Sequence, residues 1–342
     1  MRHHEFWPPR LFEAPYYIYL LLQCAWFGLA PKSLAKANFC LDHGELGLGS
    51  KFATQMAFRQ DKFLPTILLS VQASEAQRRE QFTQFANVHS YPLILKPDIG
   101  AVGKGIVKIN DERSGLALIR HMKTDYLLQK FTPFTVEFGV FFVRLNGECF
   151  ITGMNQKHFP TVTGDGIHTI EELARQHERF TDHWPIFLRY LDTQRIPAEG
   201  ETLQLSFIGS HTMGCKFTDD SDQVTDALRQ SIFDVCADVP GFNFGRFDVK
   251  AANVDALLNG EFLIIEVNGI ASLPTHMFDP AGSLIDAYRI FLRHGKLLAR
   301  AASEHSHREM PLDSYRDIWR RAKTNAGLLN EVHAQARDAK GG

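Results

Sequence analysis

The chain has 342 residues, a formal net charge of -2 and a pI near 6.7. Hydrophobic residues make up 44% and charged residues 22%, a globular composition with enough chain for two or three lobes. The charge balance argues against nucleic acid held on a broad basic surface. Five dispersed cysteines without a CxxC pair argue against a disulfide frame or a structural zinc.

The first distinctive element is residues 15–30, PYYIYLLLQCAWFGLA, which reads as a helix apolar on every side. It is too short to cross a bilayer comfortably. Two readings stand. It packs on the main body, or it makes a peripheral membrane contact with Trp7, Tyr16, Tyr17 and Trp26 at the interface. Ala35-Lys36-Ala37 mimics a signal-peptide cleavage site, but Glu5, Pro8 and Pro9 oppose that reading.

Next comes a glycine-rich link, DHGELGLGSK, and a helix KFATQMAFRQ. A strand LPTILLS, a polar helix ASEAQRREQFTQFANVHS and a strand YPLILK follow. GIVKIN, the helix ERSGLALIRHM and the strand YLLQKF complete a mixed α and β lobe. The second lobe begins near Thr135. VEFGVFFVRLNGECFITGMNQK reads as a hairpin with Asn146-Gly147 at its turn. TVTGDGIHTIEELARQH is a turn and a helix, and an aromatic insert follows. TLQLSFIGSHTMGCKFTDD reads as a second strand pair, and SDQVTDALRQSIFDVCADV as a helix opened by a Ser/Asp cap. NFGRFDVKAAN and GEFLIIEVNG are strands, and residues 286–342 are mostly helical with clustered Arg and Lys.

Chemistry concentrates in three stretches. In IIEVNG, Glu266 and Asn268 share one face of a strand, with Val267 toward the core. If GRFDVK is the neighbouring strand, Asp248 joins them in a hard-oxygen site suited to magnesium, with Arg246 two positions away. In YPLILKPDIGAVGKGI, Lys96 ends an apolar strand, and Gly100, Gly103 and Gly105 surround Lys104. Such a loop brings backbone N–H groups close to anionic oxygens. Neither GxxxxGK[ST] nor GxGxxG is present, so a plain tight hairpin stays open for this stretch alone.

Taken together, in this order, these stretches resemble the ATP-grasp family over roughly residues 50–290. The resemblance implies an α+β fold, two α/β lobes clasping ATP. It divides the chain into a helical extension at 1–49, an N-terminal lobe with the lid at 50–132, a C-terminal lobe with the metal site at 133–300 and a helical tail at 301–342. It implies ATP contacts for Lys51, Lys96, Gly103, Lys104 and Gly105, an adenine pocket at Gln129, Lys130 and Phe131, and a ribose contact for Glu137. Asp248, Glu266 and Asn268 would hold magnesium, two ions by the resemblance, with manganese as a substitute. Arg246 would steady charge at the reacting carbonyl. MNQKHFPTVTGDGIHTIEEL is similar to a segment of amino-acid-ligating members such as cyanophycin synthetase and the fused glutathione synthetases. There Lys157 would reach the transferred phosphate. The GDG turn has a plainer reading as a helix cap at Thr169.

Lys216 is a second candidate cation or a surface lysine. Ser272 and His276, in the loop after Asn268, are candidates for holding substrate, and His276 has a packing role as its alternative. D-alanine–D-alanine ligases carry an α/β domain ahead of the grasp module. Here only about fifty residues precede Lys51, so the acceptor pocket is built differently. The implied activity is ADP-forming ligation of a small carboxylate to an amine or thiol through an acylphosphate, with an amino acid or peptide as the expected substrate, in the cytoplasm or at its membrane. A kinase of a non-carboxylate acceptor and a non-catalytic nucleotide-binding module are the alternatives. A homodimer stays open as an expectation.

Overall fold

A computed structural model describes residues 3–46, 49–100, 103–177, 179–180 and 191–338. Ala101 and Val102 of the glycine loop, most of the aromatic insert and the last four residues of the tail lie outside the described residues.

The first sheet is antiparallel, in the order β1 (Thr66–Leu69), β4 (Tyr126–Lys130), β2 (Leu93–Pro97), β3 (Val107–Ile109). Two helices cover it, α3 (Glu75–His89) and α4 (Glu112–Arg120); the long helix α1 (Pro9–Trp26) and the short helix α2 (Lys51–Met56) come earlier in the chain. Each covering helix starts where its sequence supplies a cap. Ser74 forms a capping box with Gln77, and the Asp111 carboxylate accepts from the Ser114 N–H. Phe82, Leu93, Leu95, Ile109, Ile119 and Leu128 close the core between sheet and helices.

The second sheet is also antiparallel, in the order β11 (Leu263–Asn268), β10 (Phe244–Ala251), β5 (Val136–Leu145), β6 (Glu148–His158), β9 (Lys216–Asp219). The expected hairpin joins β5 to β6. Asn146 and Gly147 both take left-handed backbone, with φ of 51° and 80°, as a tight two-residue turn requires. On one face Phe138, Val140, Phe142, Phe247 and Val249 pack with Leu228, Ile232 and Val235 of helix α6 (Asp226–Ala237). The fold is thus α+β, as expected, and among the described residues it is built on these two main antiparallel sheets and a small two-stranded one.

The opposite face of the second sheet is divided. Its far end carries Val143, Leu145 and Phe244, which pack under helix α8 (Leu284–Glu304) and under α1. Phe12, Tyr16, Leu20 and Cys24 recur every fourth residue and form the buried stripe of α1. The Tyr16 ring stacks on Phe291 at 4.0 Å, and the Tyr288 hydroxyl donates to the Phe12 carbonyl at 3.0 Å. The N-terminal helix therefore packs on the body through one face, while its other face stays exposed.

Three local expectations need correction. TLQLSFIGSHTMGCKFTDD does not pair with itself. β8 (Thr202–Gln204) pairs with β7 (Thr161–Thr163), and β9 joins β6. The residues between turn through a 3-10 segment, His211–Met213, and line a cleft instead. The helix opening at SDQ begins later, because Ser221–Gln223 forms a separate 3-10 turn and Thr225 supplies the cap. KFATQMAFRQ is helical only to Met56, after which Phe58 and Phe63 turn into the core.

Among the described residues the α-helices still to be placed are α5 (Ile170–Gln176), α7 (Val254–Leu258) and α9 (Tyr315–Asp338).

Candidate functional site

The cleft between the sheets has a volume of about 530 Å³ and is floored by the charged end of the second sheet. Strand alternation sends Glu137 and Gly139 of β5 to this face while Phe138 and Val140 enter the core. Register then sets the rungs. Glu137 lies between Lys157 on β6 and Lys250 on β10. Asp248 lies between Gly139 and Glu266, and Arg246 is opposite Asn268. The neighbouring-strand condition for Asp248 is met.

These groups are tightly bonded to one another. Lys157 Nζ is 2.8 Å from Glu137 Oε1 and 3.2 Å from Asp248 Oδ1. Arg246 donates to both oxygens of Asp248, at 2.8 and 3.0 Å, and the Asn268 amide donates to Asp248 Oδ2 at 3.2 Å. Lys250 lies 3.4 Å from Glu137 Oε2. Gly139 makes room for this crowd, since a side chain there would come within 2.6 Å of Asn155 Oδ1 and 3.1 Å of the Arg246 stem.

Burial disfavours every charge here, and the neighbours decide the outcome. It pushes the Lys157 ammonium toward its neutral form, but Asp248 and Glu137 outweigh it and hold the pKa above the ordinary value. Asp248 is pushed up by burial, but Arg246 and Lys157 hold it below the usual carboxylate range. Lys96 shows the opposite balance. Burial dominates, and its pKa is lowered despite Glu266 nearby.

The first sheet and helix α2 supply the cations of the roof. Lys96 reaches across the cleft, donating to Gln129 Oε1 at 3.1 Å and to the Ile265 carbonyl at 2.9 Å. Lys51 sits in the first turn of α2, 3.3 Å from Glu266, and also donates to the Gly100 carbonyl. Lys130 and Phe131 line the cleft, with Lys108 over the Phe131 ring at 4.4 Å. Gly103 has φ of 74° and lies against Ile208, where a side chain would collide; Lys104 lines the cleft beside it. Gly105 is not among the lining residues.

The remaining wall was not foreseen from the sequence. Glu5, Trp7, Pro9, Phe12 and Glu13 of the N-terminal segment line the cleft. Glu5 is 6% exposed and is held by Arg179 at 2.7 and 2.9 Å and by His211 at 3.0 Å. Burial would raise its pKa, but His211 and Arg179 bring it down to about 2. Glu45 accepts from the Thr54 hydroxyl and from the Gly269 N–H, so it braces the turn after Asn268. Burial raises the Glu45 pKa against those two bonds.

Of the proposed substrate residues, Ser272 lines the cleft, and its hydroxyl donates to the Gly269 carbonyl at 2.7 Å. His276 lies behind the lining. Its ring packs on Phe141 at 4.9 Å, and burial lowers its pKa to about 3. Lys216 is also outside the lining, in register with His158 on β6. Thr169 forms a capping box with Glu172, so the GDG turn has the capping role that its sequence allowed. Glu137, read as a ribose contact, has its carboxylate held between two lysines.

Among the described residues no three His, Cys, Asp or Glu side chains converge as a metal cluster. Asp248 and Glu266 on one rung, with Asn268 beside them, nevertheless form a hard-oxygen set. Two carboxylates and an amide are the donor chemistry that magnesium takes, while here Arg246, Lys157 and the Asn268 N–H engage the Asp248 oxygens.

No protein-family profile matches the chain, and no curated protein matches it. Solved structures do. A bifunctional glutathione synthetase from Pasteurella multocida is 15% identical with a TM-score of 0.38, over 71% of this chain and 36% of that one. A D-alanine–D-alanine ligase from Bacillus anthracis complexed with ATP is 12% identical, TM-score 0.40, over 77% and 67%. A carboxyaminoimidazole ribonucleotide synthase from Aspergillus clavatus complexed with ATP is 15% identical, TM-score 0.40, over 73% and 52%. The likeness is one of fold, and this chain spans about a third of the first of these proteins and half of the last.

Proposed function

We propose that the protein is an ATP-dependent, ADP-forming ligase of the ATP-grasp type that joins a carboxylate to an amine or thiol through an acylphosphate. The observation that carries this reading is the set of charged rungs at the cleft floor, Lys157–Glu137–Lys250 and Asp248–Glu266 with Arg246 and Asn268, facing Lys51 and Lys96. Five cations and three carboxylates gathered at one cleft suit a reaction that needs charge neutralised rather than covalent participation.

Lys51 and Lys96 would hold the phosphate end of ATP, with the glycine loop over it. Asp248, Glu266 and Asn268 would hold magnesium, which supplies charge neutralisation at phosphate oxygens. A substrate carboxylate oxygen attacks the γ-phosphorus, the bond to the β-phosphate oxygen breaks, and ADP leaves. Lys157 and Arg246 then face the acylphosphate. The amine nitrogen attacks the acyl carbon, phosphate departs with the carboxylate oxygen, and the amine loses its proton. Lys157, held cationic by Asp248 and Glu137, is suited to stabilise the transferred phosphate rather than to take that proton. The buried floor also keeps water from the acylphosphate.

The test is release of ADP and phosphate from Mg-ATP with pools of amino acids and small peptides, with Asp248→Asn as control. Turnover that depends on a pool and on Asp248, with a product lighter by one water than its two parts, is the expected result. AMP and pyrophosphate would overturn the mechanism. ADP with a phosphorylated acceptor and no condensed product would make the protein a kinase.

A further inference from the structure

Helix α1 buries one face on α8 and leaves the other uncovered. From Leu11 to Trp26 its exposed positions are Leu11, Ala14, Pro15, Tyr17, Ile18, Leu21, Leu22, Ala25 and Trp26, none of them charged. Trp26 is 82% exposed and Ile18 62%. Residues 14–31 contain no acidic or basic side chain. A helix packed on one side of a water-soluble body ordinarily turns a polar face outward, and this one does not.

Charge surrounds this face without entering it. Arg10 precedes it, and Lys32 and Lys36 follow. On α8 the exposed residues Arg289, Arg293, Lys296 and Arg300 recur at helical spacing, one position on from the row that contains Tyr288 and Gly295, which meet α1. Arg289 and Arg300 pair with Asp286 and Glu304, while Arg293 and Lys296 have no acidic partner among the described residues.

We propose that α1 docks the protein on an anionic bilayer surface, its outer face entering the interfacial region and the basic row of α8 meeting the headgroups. The helix lies on the surface and does not cross it. Its 18 residues span about 27 Å, short of the hydrocarbon thickness. The 3-10 segment Pro31–Asn38 bends away by 83° and buries Leu34, Ala35 and Ala37 in the protein. No single helix among the described residues is long and apolar enough to span a membrane. A two-fold pairing of α1 between copies is the competing occupant. It would set the like-charged rows of α8 near one another, and an anionic surface neutralises them. Because Pro9, Phe12 and Glu13 also line the cleft, docking would act on that wall of the cleft directly.

The experiment is co-sedimentation of the full chain with phosphatidylglycerol-rich vesicles and with phosphatidylcholine vesicles. Binding should be at least about tenfold tighter to the anionic vesicles. Ile18→Asp/Leu22→Asp should weaken it about a hundredfold, and Arg293→Glu/Lys296→Glu should abolish the lipid preference. Unchanged melting temperatures would certify the folds. As a milder probe, brominated lipid should quench tryptophan fluorescence, and Trp26→Phe should remove most of that quenching. A chain that stays in the supernatant with both vesicles overturns the proposal. So does binding that survives Ile18→Asp/Leu22→Asp, or quenching that survives Trp26→Phe. A vesicle-indifferent dimer split by Ile18→Asp/Leu22→Asp would assign the face to a second copy.

Discussion

One face of the five-stranded sheet serves two opposed purposes. Along β5, Glu137 and Gly139 belong to a floor of buried charges, and a few residues on, Val143 and Leu145 belong to an apolar layer under α8 and α1. The apolar half is held by contact area and shape. The charged half is held by mutual neutralisation, each ion placed by the rung it occupies. Burying so many charges contributes little net stability, because desolvation offsets the attraction, while removing one partner strands another. The difference implies that stability and chemistry reside in separate halves of one surface, and that mutations should separate them.

The largest effect is expected in the apolar half. Phe291 is fully buried and stacks on Tyr16, so Phe291→Ala should cost about 3–5 kcal/mol in denaturant unfolding. Should it fold at low temperature, its KM for ATP should be unchanged. The reverse pattern is expected of Lys157→Ala, which leaves Asp248 to Arg246 and Glu137 to Lys250. Turnover should fall about 10²–10³-fold with the unfolding midpoint little changed; a large loss of stability instead would mean that the floor carries the fold. The smallest effect is at the seam, where Glu5 ties the N-terminal segment to Arg179 and His211. Its folded pKa, about 2, lies below the ordinary 4.5, so its contribution is present in full above about pH 4.5 and is lost as pH falls toward 2. Glu5→Gln should cost about 1.5–3 kcal/mol at pH 7. The gap between variant and wild type should close across that acid window, as read by urea unfolding at stepped pH.

What the sequence disclosed, and what it hid, follows the same physical divide. Glu266 and Asn268 were legible because strand alternation is local, and Asp248 because its strand is the next one. Lys250 obeys the same alternation from Asp248 and was within reach of that reasoning. Glu5, Arg179, His211 and Glu45 were not. Glu45 meets Gly269 across 224 residues and Glu5 meets His211 across 206, and no periodicity encodes such partners. The error at TLQLSFIGSHTMGCKFTDD has the same origin. Its strands were identifiable from composition, but their partners lie in β6 and β7, and the loop between them turns inward to face the cleft. The N-terminal helix was legible as apolar all round, which left open whether it packs on the body or meets a membrane.

The packing of α1 also has a consequence for synthesis. Phe12 and Tyr288, which share a hydrogen bond, are 276 residues apart. At a ribosomal rate of roughly 5–20 residues per second, α1 emerges about 14–55 s before the helix that will cover it. Throughout that interval its stripe of Phe12, Tyr16, Leu20 and Cys24 is as bare as its outer face. A nascent chain that exposes such a segment so long before its partner helix is a natural client for a chaperone at the exit tunnel. Its yield in a cell should therefore depend on translation speed and holdase supply more than on the stability of the finished protein.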